Sequence, residues 1–394
     1  MSLRVLITNQ ALSGCSGTEM YVHDLALQLL ARGHQPVIYS PKLGPLAERL
    51  LVATVCVVED LARLDVVPDA IHAHHSLPAL EALLRFPRAP AIYVCHDWNW
   101  VHDTPPQLPR IHRYVAVDQT VRDRLLIQEG IDASRVEVIF NGIDLKRFQP
   151  RGPLPRRPRR ALALSNYLQT RHVEIIRTAC QRHDVDLDAV GAKLGGACER
   201  PEELLADYDL VFAKGRCAWE SLAVGAAVIV CDVGGAGPLV SSAELPALRQ
   251  ANFGRRLLAH PLNAEWLAEQ IARYSAADAA LVSAEIRATA NLDATVDRLL
   301  ACYHSAIASQ GQTPVDMADD MRAAADFLRR WPVLEAHRPL SPPLETERRP
   351  LTERQFRYLI RDELRGQRRS YGMQRLWRSL QRRLSYLSGN SFRR

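Results

Sequence analysis

Residues 206–240, ADYDLVFAKGRCAWESLAVGAAVIVCDVGGAGPLV, admit few folds. Leu210 to Ala213 are apolar and bounded by charge, which predicts a strand buried on both faces. Lys214-Gly215-Arg216 predicts a tight turn, Cys217 to Val224 a short helix, and Gly225 its stop. Ala227 to Cys231 predicts a second buried strand, and Gly234, Gly235 and Gly237 predict a loop bare of side chains. Strand, helix, strand is the unit of a doubly wound parallel sheet, which gathers its chemistry at the carboxyl ends of its strands. The amides and positive dipole at such a helix start favour an anion, typically a phosphate. Glu220 lies about one turn into the helix.

The rest of the chain repeats this unit. Leu3 to Thr8 predicts a strand and Asn9 to Gly17 a loop. Thr18 predicts the cap of a helix carrying Tyr21, Val22, Leu25, Leu29 and Leu30 on one stripe, and Pro36 to Tyr39 a second strand. The loop is not a dinucleotide GxGxxG. Ala70 to His75 and Ala91 to Asp97 predict strands ending in His74, His75 and His96. Trp98 and Trp100 follow, either as a platform for stacking a sugar ring or as wedges packing a loop. Arg113 to Phe148 predicts strand, capped helix, strand and an Asn141-Gly142 turn. Arg151 to Arg160 is rich in proline and arginine and predicts a linker. Ala161 to Leu164 and Asp186 to Gly191 predict further strands.

Charge is unevenly spread. From Arg348 to Arg394 there are fourteen arginines against Glu353, Asp362 and Glu363, a surplus of eleven; with the total at +6, the remainder carries −5. Leu351 to Leu387 has a helical apolar stripe including Trp377, interrupted at Gly366 and Gly372. Its partner is the folded body, an anionic membrane surface or a polyanion. No apolar run approaches the ~20 residues of a membrane-spanning helix, and the first residues do not have signal-peptide architecture. The eight cysteines show no CxxC spacing and predict reduced thiols, with no zinc site.

Glu220-Ser221-Leu222-Ala223-Val224-Gly225 resembles the second-acid half of the donor motif of retaining nucleotide-sugar glycosyltransferases, family four, of the two-domain GT-B type. Gly14-Cys15-Ser16-Gly17-Thr18-Glu19 with Ala31-Arg32-Gly33-His34 resembles their opening. Asn141-Gly142-Ile143-Asp144 with Phe148-Gln149-Pro150 resembles the end of their first domain. The sequence departs twice: the first motif acid falls at Phe212, and the Gly-Arg pair that grips the diphosphate reads Ser165-Asn166, with Arg171 keeping the second charge.

The resemblance implies an α/β fold of two Rossmann-like doubly wound domains facing across a cleft. These are residues 1–150 on the acceptor side and 161–309 on the donor side, joined by the linker 151–160 and followed by a helical, arginine-rich extension, 310–394. It implies a retaining, metal-independent glycosyltransferase. Such an enzyme moves a sugar from a nucleotide-diphosphate sugar to a glycan or lipid-linked acceptor, with no cofactor, in cell-surface polysaccharide or glycoconjugate synthesis. The implied catalytic residues are His96 and Glu220. Gly14, Gly17, Asn166, Arg171, Lys214, Gly215, Arg216 and Glu220 would hold the donor, and Trp98 and Trp100 the acceptor. A cytoplasmic location is implied, peripheral at the inner membrane face if the arginine-rich tail meets lipid; nucleic acid is not an expected partner. The two departures admit a second reading, a catalytically impaired GT-B subunit that binds or scaffolds. An epimerase of related architecture would need two acids at one carbon, and the sequence offers no such pair.

Overall fold

The computed structural model describes residues 2–312 and 315–336. The chain divides by contact into residues 1–339 and 340–394, and every described element belongs to the first of these units. The arginine-rich stretch from Arg348 onward, with its expected helices and membrane contact, lies outside the described residues.

Two sheets organise the molecule. The first contains β1 (Arg4–Thr8), β2 (Gln35–Tyr39), β3 (Cys56–Val58), β4 (Ala70–Ala73), β5 (Ala91–Cys95), β6 (Ile111–Ala116) and β7 (Val136–Val138). Its order is β3-β2-β1-β4-β5-β6-β7, parallel throughout. The second contains β8 (Arg160–Leu164), β9 (Asp186–Val190), β10 (Leu210–Ala213), β11 (Ala227–Asp232) and β12 (Gly235–Leu239), in the order β12-β11-β10-β8-β9. Strand order reverses between β1 and β4 in one sheet and between β8 and β10 in the other. Such switch points open a crevice at the strand carboxyl ends. His74 and His75 follow β4. Ser165 and Asn166 follow β8, and Lys214 follows β10.

Strand side chains alternate between faces, as the pleat requires. Val211, Ala213, Val228 and Val230 pack with Trp219, Leu222 and Val224 of the helix Gly215–Val224. Leu210, Phe212, Ala227 and Ile229 pack on the opposite face with Val173 and Ile176 of the helix Thr170–Gln181 and Leu267 and Ile271 of the helix Ala264–Ala272. Gly225 ends the Gly215–Val224 helix in the left-handed region, φ 101°, where glycine has no Cβ penalty.

Three expectations change. The glycine stretch after β11 is not a bare loop: Gly235–Leu239 pairs antiparallel with β11 as the edge strand β12. Its glycines answer close backbone approach, since a Cβ on Gly235 would lie 2.5 Å from the His260 carbonyl oxygen and one on Gly237 2.6 Å from that of Leu257. The first helix, Gly17–Ala31, is capped by Ser16 in a capping box with Glu19, and Thr18 is already inside it. The stretch expected to close the second domain divides. Helices Ala264–Ala272 and Ala276–Thr289 pack on the second sheet, but Leu292–Gln312 returns to the first, burying Leu292, Val296, Leu299, Tyr303 and Ala306 in its core. The Asn141-Gly142 turn receives this helix: a Cβ on Gly142 would lie 2.5 Å from Leu292 Cα. The helix Met317–Ala336, in the extension expected to be helical, follows it onto the same core through Ala324, Phe327 and Trp331. The short connection between β9 and β10 fills its space with Leu205 and Tyr208, both buried in the second core.

Candidate functional site

Glu220 is buried in the helix that follows β10. Its Oε1 accepts from Nε of Arg216, one turn earlier, at 2.6 Å, with an Arg147 guanidinium nitrogen 3.9 Å away. Arg216 also donates to Asp24 of the first helix, and Asp24 accepts from Arg147 Nη1 at 3.1 Å. Arg147 further lies 3.5 Å from Glu202. Three carboxylates and two guanidiniums thus meet where the sheets meet. Burial pushes Glu220 above the ordinary carboxylate range against the pull of Arg216 and Arg147. Burial also works to raise Asp24, but Arg216, His23 and Arg147 outweigh it and hold its carboxyl well below that range. Burial disfavours the Arg216 charge, yet Asp24 and Glu220 raise its affinity for the proton above the usual arginine value.

The expected phosphate-side residues line the second switch point. Gly215, at φ +54°, opens the helix, but its N–H is taken by the Phe253 carbonyl at 2.8 Å. Lys214 stands at the cap position with Nζ 3.0 Å from the buried Asp232 carboxylate and 5.0 Å from the centroid of the Tyr167 ring. Asp232 also accepts from the Ser165 hydroxyl at 2.7 Å. Asn166 accepts the Ala192 N–H at 3.1 Å. Arg171 is exposed, with no ion pair among the described residues. Phe212, where the first motif acid would fall, is wholly buried in mid-strand against the face opposite Glu220. An uncompensated carboxylate there would cost several kcal/mol.

In the first sheet, Gly14 donates its N–H to Glu19 Oε1 at 2.8 Å, and Ser13 and Ser16 donate to the same carboxylate. Glu19 therefore holds the N–H of Gly14, a residue that the resemblance assigned to the donor. Gly17 opens the helix, and a Cβ there would meet nothing within 4 Å. His96 follows β5; its Nε2 lies 2.9 Å from His74 Nδ1. Its main-chain N–H and that of Asp97 donate to Asp103 Oδ2, each at 2.6 Å. Burial pushes Asp103 up to about 7, against the pull of Arg124 and these amides. Burial pulls His96 down to about 3, so it is neutral near pH 7. Trp98 is exposed. Trp100 meets the His75 ring edge-on at 5.0 Å between centroids, which combines the wedge role with partial exposure.

The two halves meet on one helix. Tyr21 places its ring edge-on to His96, centroids 4.7 Å apart, and Asp24, three residues on, takes Arg216. Residues three apart share a helix face, so His96 and Glu220 are both anchored to one face of the helix Gly17–Ala31. The sequence pattern brings His96, Arg216 and Glu220 to this place and misses Asp24, Arg147 and Asp103. Asp24 and Arg147 find their partners only through contacts 123 and 192 residues apart in the chain. Among the described residues, no group of three or more His, Cys, Asp and Glu could hold a metal ion, and no helix is long and apolar enough to cross a membrane.

Known proteins share this fold. The family described as Glycosyltransferase Family 4 matches residues 15–147. A glycosyltransferase from Rickettsia africae superposes with a TM-score of 0.58 at 16% identity, covering 78% of this chain and 99% of that one. HepE from Anabaena in complex with UDP superposes with a TM-score of 0.56 at 18% identity, covering 77% of this chain and 100% of that one. The HepE complex with UDP-glucose gives 0.54 at 16%, over 77% and 100%. No curated protein sequence matches the chain.

Proposed function

We propose that this chain, which has the GT-B fold and resembles glycosyltransferase family 4 over its first sheet, transfers a sugar from a nucleotide-diphosphate donor to a glycan or lipid-linked acceptor with retention. The observation that carries the reading is the shared anchorage of His96 and Glu220 on one face of the helix Gly17–Ala31. A donor with its ribose at Glu220 would then extend its sugar toward the carboxyl end of β5. Glu220 keeps Oε2 for a ribose hydroxyl while Arg216 holds Oε1. Lys214 and the exposed Arg171 flank the switch point of the second sheet and would meet the diphosphate as charge develops on it, with no metal called for. HepE is solved with UDP and UDP-glucose, which makes uridine donors the first to try. The sequence marks no carboxylate nucleophile, and front-face transfer through an oxocarbenium-like state, implied by the resemblance, is the mechanism proposed.

A second reading rests on three observations. Arg216 already occupies Glu220, the Phe253 carbonyl occupies the Gly215 N–H, and Glu19 occupies the Gly14 N–H. A chain locked in this way would bind or scaffold without turnover.

The test is calorimetry and turnover with a panel of nucleotide-diphosphate sugars on wild type and Glu220→Gln. The expected result is one donor class that binds and turns over, with affinity reduced about tenfold to a hundredfold in the variant, roughly 1–3 kcal/mol. Binding without turnover on any acceptor would favour the scaffold reading. Unchanged affinity in a folded Glu220→Gln chain would remove Glu220 from the donor site.

A further inference from the structure

We infer that His74 is a positioning residue for His96, fixing both the orientation and the tautomer of its ring; the inference rests on the proposed role of His96 at the transferred sugar. His74 is wholly buried after β4, and its Nδ1 lies 2.9 Å from His96 Nε2, with ring centroids 4.8 Å apart and planes tilted by 30°. Tyr21 closes on both rings edge-on, at 5.3 Å from His74 and 4.7 Å from His96. Asp103 holds the His96 main chain from the other side at 2.6 Å. The ring of His96 is therefore held at Nε2, in its backbone and on its flank, and Nδ1 is the nitrogen left for a substrate hydroxyl.

The pairing also couples the tautomer of His96 to that of His74. An N···N hydrogen bond between neutral imidazoles needs one N–H and one lone pair. If His74 donates, His96 carries its proton on Nδ1 and offers a donor. If His96 donates, Nδ1 is a bare acceptor. Either way, the form His96 shows to the sugar is set by a residue that does not touch the sugar. The rest of the cluster keeps His74 in place. The His72 ring lies 4.5 Å from that of His74, and His72 Nδ1 bonds the Tyr303 hydroxyl, on the helix that returns to the first core, at 2.5 Å.

The test compares His74→Leu, His74→Asn, His96→Ala and the double variant His74→Leu/His96→Ala in the full chain. It reads kcat and donor KM, with ring-nitrogen NMR of the histidines. An asparagine side chain brings an amide to the position of Nδ1 and leucine brings nothing. The expected result is a kcat about tenfold to a hundredfold lower in His74→Leu with donor KM within about twofold, the signature of misplacement without lost binding. His74→Asn should recover most of that loss, and the double variant should be no slower than His96→Ala alone. The His96 Nε2 resonance should move in His74→Leu. Wild-type kcat in His74→Leu, a loss carried by KM, or additive losses in the double variant would overturn the inference. If leucine unfolds the chain, a His74→Asn variant as slow as His96→Ala overturns it equally. A wild-type chain that turns over no donor refutes the proposed function instead, whatever the NMR shows of the pair.

Discussion

Arg216 donates to the carboxylate of Asp24, and this contact ties the helix that follows β10 to the first helix of the other sheet. The bond is short-range in space and 192 residues long in sequence. Its carboxylate is buried and its guanidinium half-buried, and each has a further partner of opposite charge: Arg147 for Asp24, Glu220 for Arg216. Removing one member leaves its partner buried and underpaired. Arg216→Met is expected to cost about 3 kcal/mol in chemical denaturation, the low end for a broken buried pair. The pH dependence has a definite sign. Because the native state holds the Asp24 proton affinity below its ordinary value, its contribution is present above the usual carboxylate range and is lost as the pH falls through that range and below it. Asp24→Asn should therefore flatten the acid side of the stability curve; an unchanged slope would show that Asp24 does not sense Arg216.

Lys214 and Arg171 separate a structural from a ligand-directed charge. Lys214 neutralises the buried Asp232, whereas Arg171 is exposed with no ion pair among the described residues. Lys214→Met should lower both melting temperature and nucleotide affinity. Arg171→Ala should leave the melting temperature within about 1 °C and lower affinity alone, by up to tenfold at low salt, because surface charges contribute little to stability. Equal affinity of Arg171→Ala and wild type for every nucleotide would exclude this residue from the diphosphate.

Asp103 should give a slope of opposite sign to that of Asp24. Its folded value, raised to about 7 by burial, stands above that of the unfolded chain. The stability it contributes is full below the unfolded value near 4 and is lost as the pH rises through 7. Subtracting the stability curve of Asp103→Asn from that of wild type should leave a difference that falls between pH 4 and 7 and is level above 8. A difference that rises over that interval would mean that the amides of His96 and Asp97 and the Arg124 charge prevail over burial.

The arginine-rich stretch supports a proposal from sequence alone. A surplus of eleven positive charges from Arg348 onward, with Trp377 in an apolar stripe, suits an anionic lipid surface. Full-length protein should sediment with vesicles containing anionic lipid, less so at high salt, and a chain ending at Gly366 should not. Equal sedimentation of both chains, or of neither, would rule out the second half of that stretch as the contact.

The strands were legible because parallel sheets leave continuous apolar runs, and the carboxyl ends of β4, β5, β8 and β10 then marked His74, His96, Ser165 and Lys214. Glu220 was legible through its place in a short helix between two such runs. What stayed hidden was pairing at long range. Nothing in the amphipathic pattern of the first helix distinguishes Asp24 from a solvated acid, and nothing in the Asn141 to Pro150 turn marks Arg147 as its partner. The glycines after β11 misled because glycine serves a close strand approach as readily as an open loop. The role of Leu292–Gln312 was hidden for a similar reason: an apolar stripe declares that a helix will be covered, not which sheet covers it.

That last helix sets an order of events. The first sheet consists of residues 4–138, yet Leu292, Val296, Leu299 and Tyr303 complete its core and Tyr303 reaches inward to His72. A ribosome delivers the seven strands of that sheet long before it delivers the helix that covers them. Until residue 312 has emerged, the first half waits with an apolar stripe uncovered, while the second sheet, residues 160–239, already has all its strands. The half that is made first is the half that finishes last, and the Tyr303 hydroxyl meets His72, behind the pair His74–His96, only at that closing step.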